Sequence, residues 1–580
     1  MTDPQADTTV TGPALDAALM AAIAETGTLA RLLDRQAARF GAGPMLVAPS
    51  VLMPADPDGL ATTSFAEMAA RSSVLARGLY QAGIRPGEAL GVLATNMAIT
   101  EAHLVQFAAA RLGAVLVPLN PRYGDEDLDH ALALSDVRMV IAETALMPRL
   151  AAARARCGRG FVCVDAAAAD GLQALLAAGD AVSGQSWAAP TPSDTADLIF
   201  TSGTTGRPKA VVHTQGSAVA TGAIFGTALT LGPGDIHHHA VPFFTSSGVH
   251  FNPLAALWAG ATMIVEPAFD ADAILNRIAA RRSTVLLSVP SGYLYILDAL
   301  ERRGHDAPDL SSIRIWNYGG AAMPQEAVIA LAKRFPDVDQ RQNYGMTETG
   351  PTGTMLQPDE VLSHPGSVGR PMPLCRVRIT DEAGRPQPAG RPGEIEIASP
   401  ANMAGYHGDA TATAATLCDG WVRTGDWGMI DDDGHLHHLD RLKDVIVRGG
   451  LKIAARRVEE VLHRVPGVFE AAVIALPHPR LGEDVAAVIV RGRTHEPAPA
   501  IDETDQQFIA RLTAAARAVL ADYETPRRIF ITDALPRNPL GKVLKTELRR
   551  CYALAMAPNP TPETDPTPDT SPVSTTARQA

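Results

Sequence analysis

Cysteine is scarce in this chain, with five in 580 residues, at positions 157, 163, 375, 418 and 551, and no C-x-x-C pair among them. That scatter excludes a disulfide framework and a thiolate metal site, and it points to a reducing compartment. A sustained lysine and arginine stripe is also missing, and the formal net charge is -13. Affinity for a nucleic-acid backbone needs concentrated positive charge, so no nucleic-acid partner is expected. No uninterrupted apolar stretch is long enough to span a bilayer, and the start, MTDPQADTTVTGPALDAA, is too polar and acidic for a secretory or transit segment. A cytoplasmic protein is the expectation. Two catalytic signatures are lacking as well: there is no G-x-S-x-G serine elbow and no G-x-G-x-x-G dinucleotide turn.

What is present is enough apolar material, 46% of residues, for a large core and at least two domains. Residues 1–25 read as a flexible N-terminus. From there to about residue 160 helical and strand patterns alternate. SFAEMAARSSVLARGLYQAGI repeats apolar residues at three- and four-residue spacing, EALGVLATN is a strand ending in a polar turn, and TEAHLVQFAAARLGAVLVPLN is helix then strand. That alternation predicts βαβ units and a largely parallel sheet, resuming after residue 209 and running to about 355. Between about 365 and 440 short strands and turn signals predict a β-rich subdomain. A compact α+β pattern follows DRLKDVIVRGG (440–450). The fold class is therefore α/β: a large multi-subdomain N-terminal domain over 26–440 and a small α+β C-terminal domain over 441–555. The Pro/Thr-rich tail, 556–580, has too little apolar surface to offset ordering entropy and is expected to be disordered.

The most pointed local signal is ADLIFTSGTTGRPKAVVHT (196–214), in which two apolar runs flank eight residues of Thr, Ser, Gly, Arg and Pro. Glycines in Thr201-Ser202-Gly203-Thr204-Thr205-Gly206-Arg207-Pro208-Lys209 let backbone N–H groups converge on an anion, hydroxyls donate further, and lysine adds a full charge. The spacing is not Walker A, and Ala210 stands where a magnesium-binding hydroxyl would be, so an ordinary P-loop ATPase is disfavoured. Taken alone, the loop is also compatible with a Gly/Thr-rich surface hairpin. His237-His238-His239 leads into a buried-looking AVPFF strand and DDDGHLHHLD (431–440) reads as a hairpin; neither spacing is a zinc signature.

With NYGGAAMP (317–324), NYGMTETGP (343–351), GWVRTGDWG (420–428), DRLKDVIVRGG (440–450) and LPRNPLGKVLKTEL (535–548), the loop resembles the ordered motif set of the adenylate-forming superfamily, over roughly residues 30–550. That superfamily includes acyl-CoA synthetases, peptide-synthetase adenylation domains and luciferases. The resemblance implies an ATP-dependent carboxylic acid–CoA ligase using ATP, Mg²⁺ and coenzyme A. It forms an acyl-adenylate with loss of pyrophosphate, then a thioester with loss of AMP. Residues Thr201 to Lys209 would hold the β- and γ-phosphates, Thr347 the α-phosphate, and Glu348 the magnesium ion. Tyr344 would stack on adenine, with Gly320, Ala321, Gln342 and Asn343 lining the base pocket. Asp426 would take the ribose hydroxyls and Arg441 would add a cationic donor.

By the same resemblance Lys542 is the catalytic lysine, Lys443 the hinge of a mobile lid domain, and Gly449, Gly450 and Lys452 border the coenzyme A channel. Phe244, Thr245, Ser246, Ser247 and Gly248, with Gly345 and Met346, would line the acyl pocket. Two departures stand out. Thr245 replaces the His common in acyl-CoA synthetases, which suggests a roomy, somewhat polar entrance and removes any His gate. Relatives commonly carry Pro-x-Glu where this chain has Ala455 to Arg457. Relatives that activate α-amino acids have Asp at the Thr245 position, so without that counter-charge a fatty, branched or aromatic carboxylate is expected instead. Transfer to a separate carrier-protein thiol, or a non-catalytic nucleotide-binding relative, are the alternative readings.

Overall fold

A computed structural model describes residues 13–158, 160–182, 187–201, 207–321, 323–492, 503–537 and 543–554. The chain divides into two compact units, one ending at Lys443 and the other beginning at Asp444. Arg441 thus belongs to the first unit and not, as the motif boundary at 441 suggested, to the second. The reason is local: the strand Leu436–Arg441 pairs antiparallel with Trp421–Ile430, and Asp426 sits directly opposite Arg441.

Two sheets dominate the first unit. In one, the strands 339–345, 315–319, 285–288, 236–239, 262–265 and 44–48 run parallel in that spatial order, with antiparallel strands at both edges. In the other, 195–201, 115–119, 89–93, 139–142 and 162–165 are parallel, and the strands 209–214 and 405–406 extend the sheet in antiparallel fashion. Strands such as 89–93, 115–119, 139–142 and 285–288 read as near-continuous apolar runs because helices cover parallel sheets on both faces. The helix Phe65–Gln81 begins on Ser64, which forms a capping box with Glu67. A smaller antiparallel sheet (376–380, 393–398, 421–430, 417–418, 436–441) forms the β-rich region.

The second unit is built on its own five-stranded sheet, in which 446–448, 451–453, 468–478 and 482–491 are antiparallel and 528–532 joins parallel to 482–491. The helices Ala455–His463 and Asp505–Val519 bury Val458, Leu462, Phe508 and Leu512 in its core. Residues Ala455 to Arg457, the departure from Pro-x-Glu, form the first turn of the former helix.

Two further expectations need correction. Residues 13–25 are not a flexible leader: Pro13–Thr26 is a helix, and it buries Leu19 and Ile23 against Val219, Ala223 and Phe225. Acidic and polar residues early in the segment masked two apolar residues spaced four apart, which suffice to seat a helix. Nor is AVPFF the strand after the histidine run. The strand is Ile236–His239 itself, and His237, His238 and His239 are wholly buried between parallel neighbours. Burial pushes His237 down to about 4, so it sits in the core as a neutral ring.

Candidate active site

Several sequence-predicted residues of the first unit lie where its parallel strands end. Gly320 and Ala321 follow the strand Ile315–Gly319, whose parallel neighbour Asp339–Gly345 places Gln342 beside Tyr318 and Asn343 beside Gly319. These are carboxyl ends of parallel strands, where open α/β sheets bind ligands. Gln342 and Asn343 are buried, whereas Gly320 and Ala321 are exposed. Beyond Gly345 the chain turns sharply through Thr347–Thr349. A Cβ on Gly345 would lie 1.9 Å from the Pro351 carbonyl oxygen, so this turn can fold back only onto glycine. The backbone of the turn therefore fills the space a side chain at Gly345 would need.

Glu348 sits in that turn and is buried, 6% exposed. The Tyr406 hydroxyl donates to its carboxylate at 2.8 Å, and its own carbonyl accepts from Met403 N–H at 2.9 Å. Burial raises the Glu348 carboxyl above its ordinary range, and hydrogen bonds and the charge of Arg441 only partly counter it. Tyr406 lies on the two-residue strand paired to Lys209–Thr214, and Lys209 Nζ stands 4.9 Å from the centre of its ring. Lys209 pairs across the hairpin with Thr201. Ser202, Gly203, Thr204, Thr205 and Gly206 lie outside the described residues. The Thr347 hydroxyl donates to Ser246 Oγ at 3.1 Å.

Tyr344, Asp426, Arg441 and His438 form the second cluster. The Tyr344 hydroxyl donates to Asp426 at 2.7 Å, and Arg441 Nε lies 3.1 Å from the other carboxylate oxygen. His438 Nε2 is 3.5 Å away, and its ring is tilted against Tyr344. Burial alone would push the Asp426 carboxyl up. The hydrogen bond and charge of His438, the Arg441 guanidinium and the Tyr344 hydroxyl outweigh it and hold Asp426 below its ordinary value.

The segment Phe244 to Gly248 is tighter than the roomy entrance expected of it. Phe244 is buried, and Thr245 Oγ1 donates to the Pro242 carbonyl at 2.8 Å while accepting from Gly248 N–H at 3.0 Å. A Cβ on Gly248 would fall 2.1 Å from that same carbonyl oxygen. The threonine hydroxyl is spent on its own turn, which closes the backbone around Gly248 instead of opening it. Ser246 and Ser247 are half-buried, as is Met346.

In the second unit, the exposed Gly449-Gly450 turn has positive φ of 58° and 85° and links strands 446–448 and 451–453, the latter carrying Lys452. Lys443 is exposed at the division between units. Lys542 lies outside the described residues. Sequence reasoning missed Tyr406, His438, His213, His250 and Asp197. Only Asp197, a carboxylate inside the apolar run ADLIF, and His213, inside AVVHT, carried a signal: a polar group where a buried strand has none to spare.

Among the described residues no three His, Cys, Asp or Glu side chains converge on a metal-sized point. A lone hard carboxylate such as Glu348, buried and hydrogen-bonded by a neutral phenol, fits a magnesium ion that takes its remaining ligands from phosphate and water. No helix among the described residues is long and apolar enough to cross a membrane.

Residues 33–407 match the AMP-binding enzyme family, and 457–542 match the AMP-binding enzyme C-terminal domain. The chain is 36% identical over 500 residues to a feruloyl-CoA synthase of an Amycolatopsis species, covering 84% of this chain and 94% of that protein. It is 31% identical to the long-chain-fatty-acid–CoA ligase FadD13 of Mycobacterium tuberculosis, with 87% and 96% covered. The ATP-bound crystal structure of MatB from Rhodopseudomonas palustris superimposes with a TM-score of 0.78 at 28% identity, covering 90% of this chain and 99% of that one.

Proposed function

The chain belongs to the AMP-binding enzymes and is an ATP-dependent, AMP-forming carboxylic acid–CoA ligase, and on that premise we propose how its residues divide the work. In the first half-reaction a substrate carboxylate oxygen bonds to the α-phosphorus of ATP, and the bond to the bridging β-oxygen breaks, releasing pyrophosphate. In the second, the coenzyme A thiol gives up its proton, sulfur bonds to the acyl carbon, and AMP leaves with its phosphate oxygen. Two anions must meet in the first step, so positioning and charge neutralisation carry it.

Lys209 and the loop from Thr201 hold the β- and γ-phosphates, and the Thr347 hydroxyl holds the α-phosphate. Glu348 holds magnesium, which supplies charge neutralisation on the phosphate oxygens when bound. Tyr344 and the strand-end residues Gly320, Ala321, Gln342 and Asn343 receive the base. Asp426, already ionised and oriented by Arg441 and His438, accepts the ribose hydroxyls. Lys542 keeps the catalytic role its motif implies, Lys443 that of hinge, and Gly449, Gly450 and Lys452 that of thiol-channel residues. The observation that carries the assignment is Glu348: a buried carboxylate whose hydrogen-bond donor is a neutral phenol, beside the hairpin that bears Lys209.

We assign a fatty, branched or aromatic carboxylate as the acid, and a cytoplasmic location. Phe244 is apolar and the Thr245 hydroxyl is bound to its own backbone, so neither supplies a counter-charge to a substrate ammonium. A relative that acts on feruloyl groups and one that acts on long-chain fatty acids both support an apolar acyl group. The test is a panel of aromatic, branched and straight-chain acids assayed for CoA-dependent AMP release. Turnover with at least one of these acids and none with α-amino acids is expected; preferred turnover of an amino acid would overturn the substrate assignment. An absence of acid-dependent ATP–pyrophosphate exchange across the panel would overturn the residue assignments.

A further inference from the structure

The hairpin that bears the phosphate loop also carries a wholly buried polar chain to which the two half-reactions assign nothing. Asp197 on the first strand pairs across the hairpin with His213 on the second. Asp197 is 1% exposed, and His213 and His250 are fully buried. His250 Nε2–H donates to the Asp197 carboxylate at 2.7 Å. The His250 ring meets the His213 ring edge to face, with centroids 4.7 Å apart and planes at 82°. His213 Nε2 then lies 2.9 Å from the Thr347 carbonyl oxygen. A carbonyl can only accept, so His213 carries its proton on Nε2 and donates it. Burial, reinforced by His250, pushes His213 down to about 4 against the opposing pull of Asp197, so the ring is a neutral donor at neutral pH.

Thr347 opens the turn that carries Glu348. Its carbonyl is held by His213, its hydroxyl by Ser246, and the Glu348 carbonyl by Met403. Stability gives no reason for this construction. Buried ionic groups replaced by packed apolar side chains of similar volume are often neutral or more stable, so a carboxylate and two imidazoles are a costly way to fill a core. A fixed, oriented donor is what apolar residues cannot supply.

We propose that Asp197, His250 and His213 are positioning residues for adenylate formation. The carboxylate orients His250, His250 seats the ring of His213, and His213 holds the Thr347 carbonyl so that the Thr347 hydroxyl and Glu348 carboxylate face the α-phosphate and its metal. None of the three touches substrate. Because Thr201 and Lys209 lie on the same two strands as Asp197 and His213, the relay also ties the Thr347–Glu348 turn to the hairpin that carries Lys209. The inference rests on the assignment of Thr347 and Glu348 made above.

The test is acid-dependent ATP–pyrophosphate exchange as a function of magnesium concentration, in the full chain. His213→Met should lower kcat about tenfold or more and raise half-saturating magnesium about fivefold, with KM for the acid within about twofold. His213→Gln places an amide N–H near the ring donor's position and should recover most of the loss. Asp197→Asn should shift both readouts in the same direction by about threefold. Equal impairment of the Gln and Met variants would overturn the relay, as would an unchanged magnesium requirement with a raised KM for the acid. If His213→Met does not fold, an unchanged magnesium requirement in Asp197→Asn overturns it alone. Glu348→Gln separates the two levels. Wild-type exchange in that variant sinks the Glu348 assignment itself. Impaired exchange there, with His213→Met and Asp197→Asn unaffected, sinks only the relay.

Discussion

Glu348 and Asp426 are both buried carboxylates of the first unit, yet their surroundings move them in opposite directions. Glu348 is met by a neutral phenol and desolvation wins, raising it. Asp426 is met by His438, Arg441 and Tyr344, and pairing wins, lowering it. The contrast separates a site lacking its counter-ion from one that carries its own. The first is suited to receive a cation brought with the nucleotide. The second is ionised and oriented in advance, which suits the ribose role proposed for it.

Substitution breaks this comparison most strongly at Glu348. Glu348→Gln should lower acid-dependent ATP–pyrophosphate exchange by about 100-fold or more, since it removes the charge proposed to hold the metal. The same change should leave stability at neutral pH unchanged or raise it, because an unpaired buried charge is lost; thermal unfolding without nucleotide checks this. Gly345→Ala comes next: its Cβ would enter the space of the Pro351 carbonyl, costing about 1–3 kcal/mol and displacing Thr347 and Glu348. Its exchange activity should fall with the stability, and a wild-type crystal geometry at the turn would refute the packing argument. Asp426→Ala should raise KM for ATP about tenfold and, unlike Glu348→Gln, destabilise the chain by about 2 kcal/mol by stranding the Tyr344 hydroxyl. Denaturant unfolding and ATP saturation curves read the two effects.

The pH dependence of stability should sharpen the same contrast. Asp426 binds a proton less readily folded than unfolded. Its contribution is therefore fully present above the unfolded value near 3.8 and is lost as pH falls below it. Glu348 binds a proton more readily folded than unfolded. Its contribution is an opposing cost that begins near 4.5, grows with rising pH, and is complete above the raised folded value. Urea midpoints of Glu348→Gln against the parent should therefore diverge as pH rises from 4.5 and coincide below it. Tyr406→Phe, the smallest change, should cut exchange only a fewfold, about 1 kcal/mol, because it removes one neutral hydrogen bond while Glu348 keeps its place.

Much of the fold was legible because its signals are local. The helix over Phe65–Gln81 follows from apolar spacing, and the hairpin on either side of the phosphate loop follows from two apolar runs broken by turn residues. Local signals failed where burial overrode polarity. Three consecutive histidines read as a lead-in to a strand are the strand, because parallel neighbours on both sides demand backbone pairing whatever the side chains. The helix over Pro13–Thr26 escaped because an acidic opening outweighed two well-spaced core residues. At the site, Thr245 was legible as a departure but not in its effect: which group its hydroxyl binds depends on how its turn closes.

From residue order alone came the α/β class, the succession of domains and a loop able to cradle an anion, since composition and spacing determine what chemistry a side chain can offer; the groups proposed for metal and ribose came from the resemblance of the ordered motifs to a family. Tertiary structure decided which of those groups meet. Tyr406 reaches Glu348 across 58 positions, His250 reaches Asp197 across 53, and His213 reaches Thr347 across 134. Such contacts are set by strand pairing and helix packing, and only there does burial fix whether desolvation raises a carboxylate or its partners lower it.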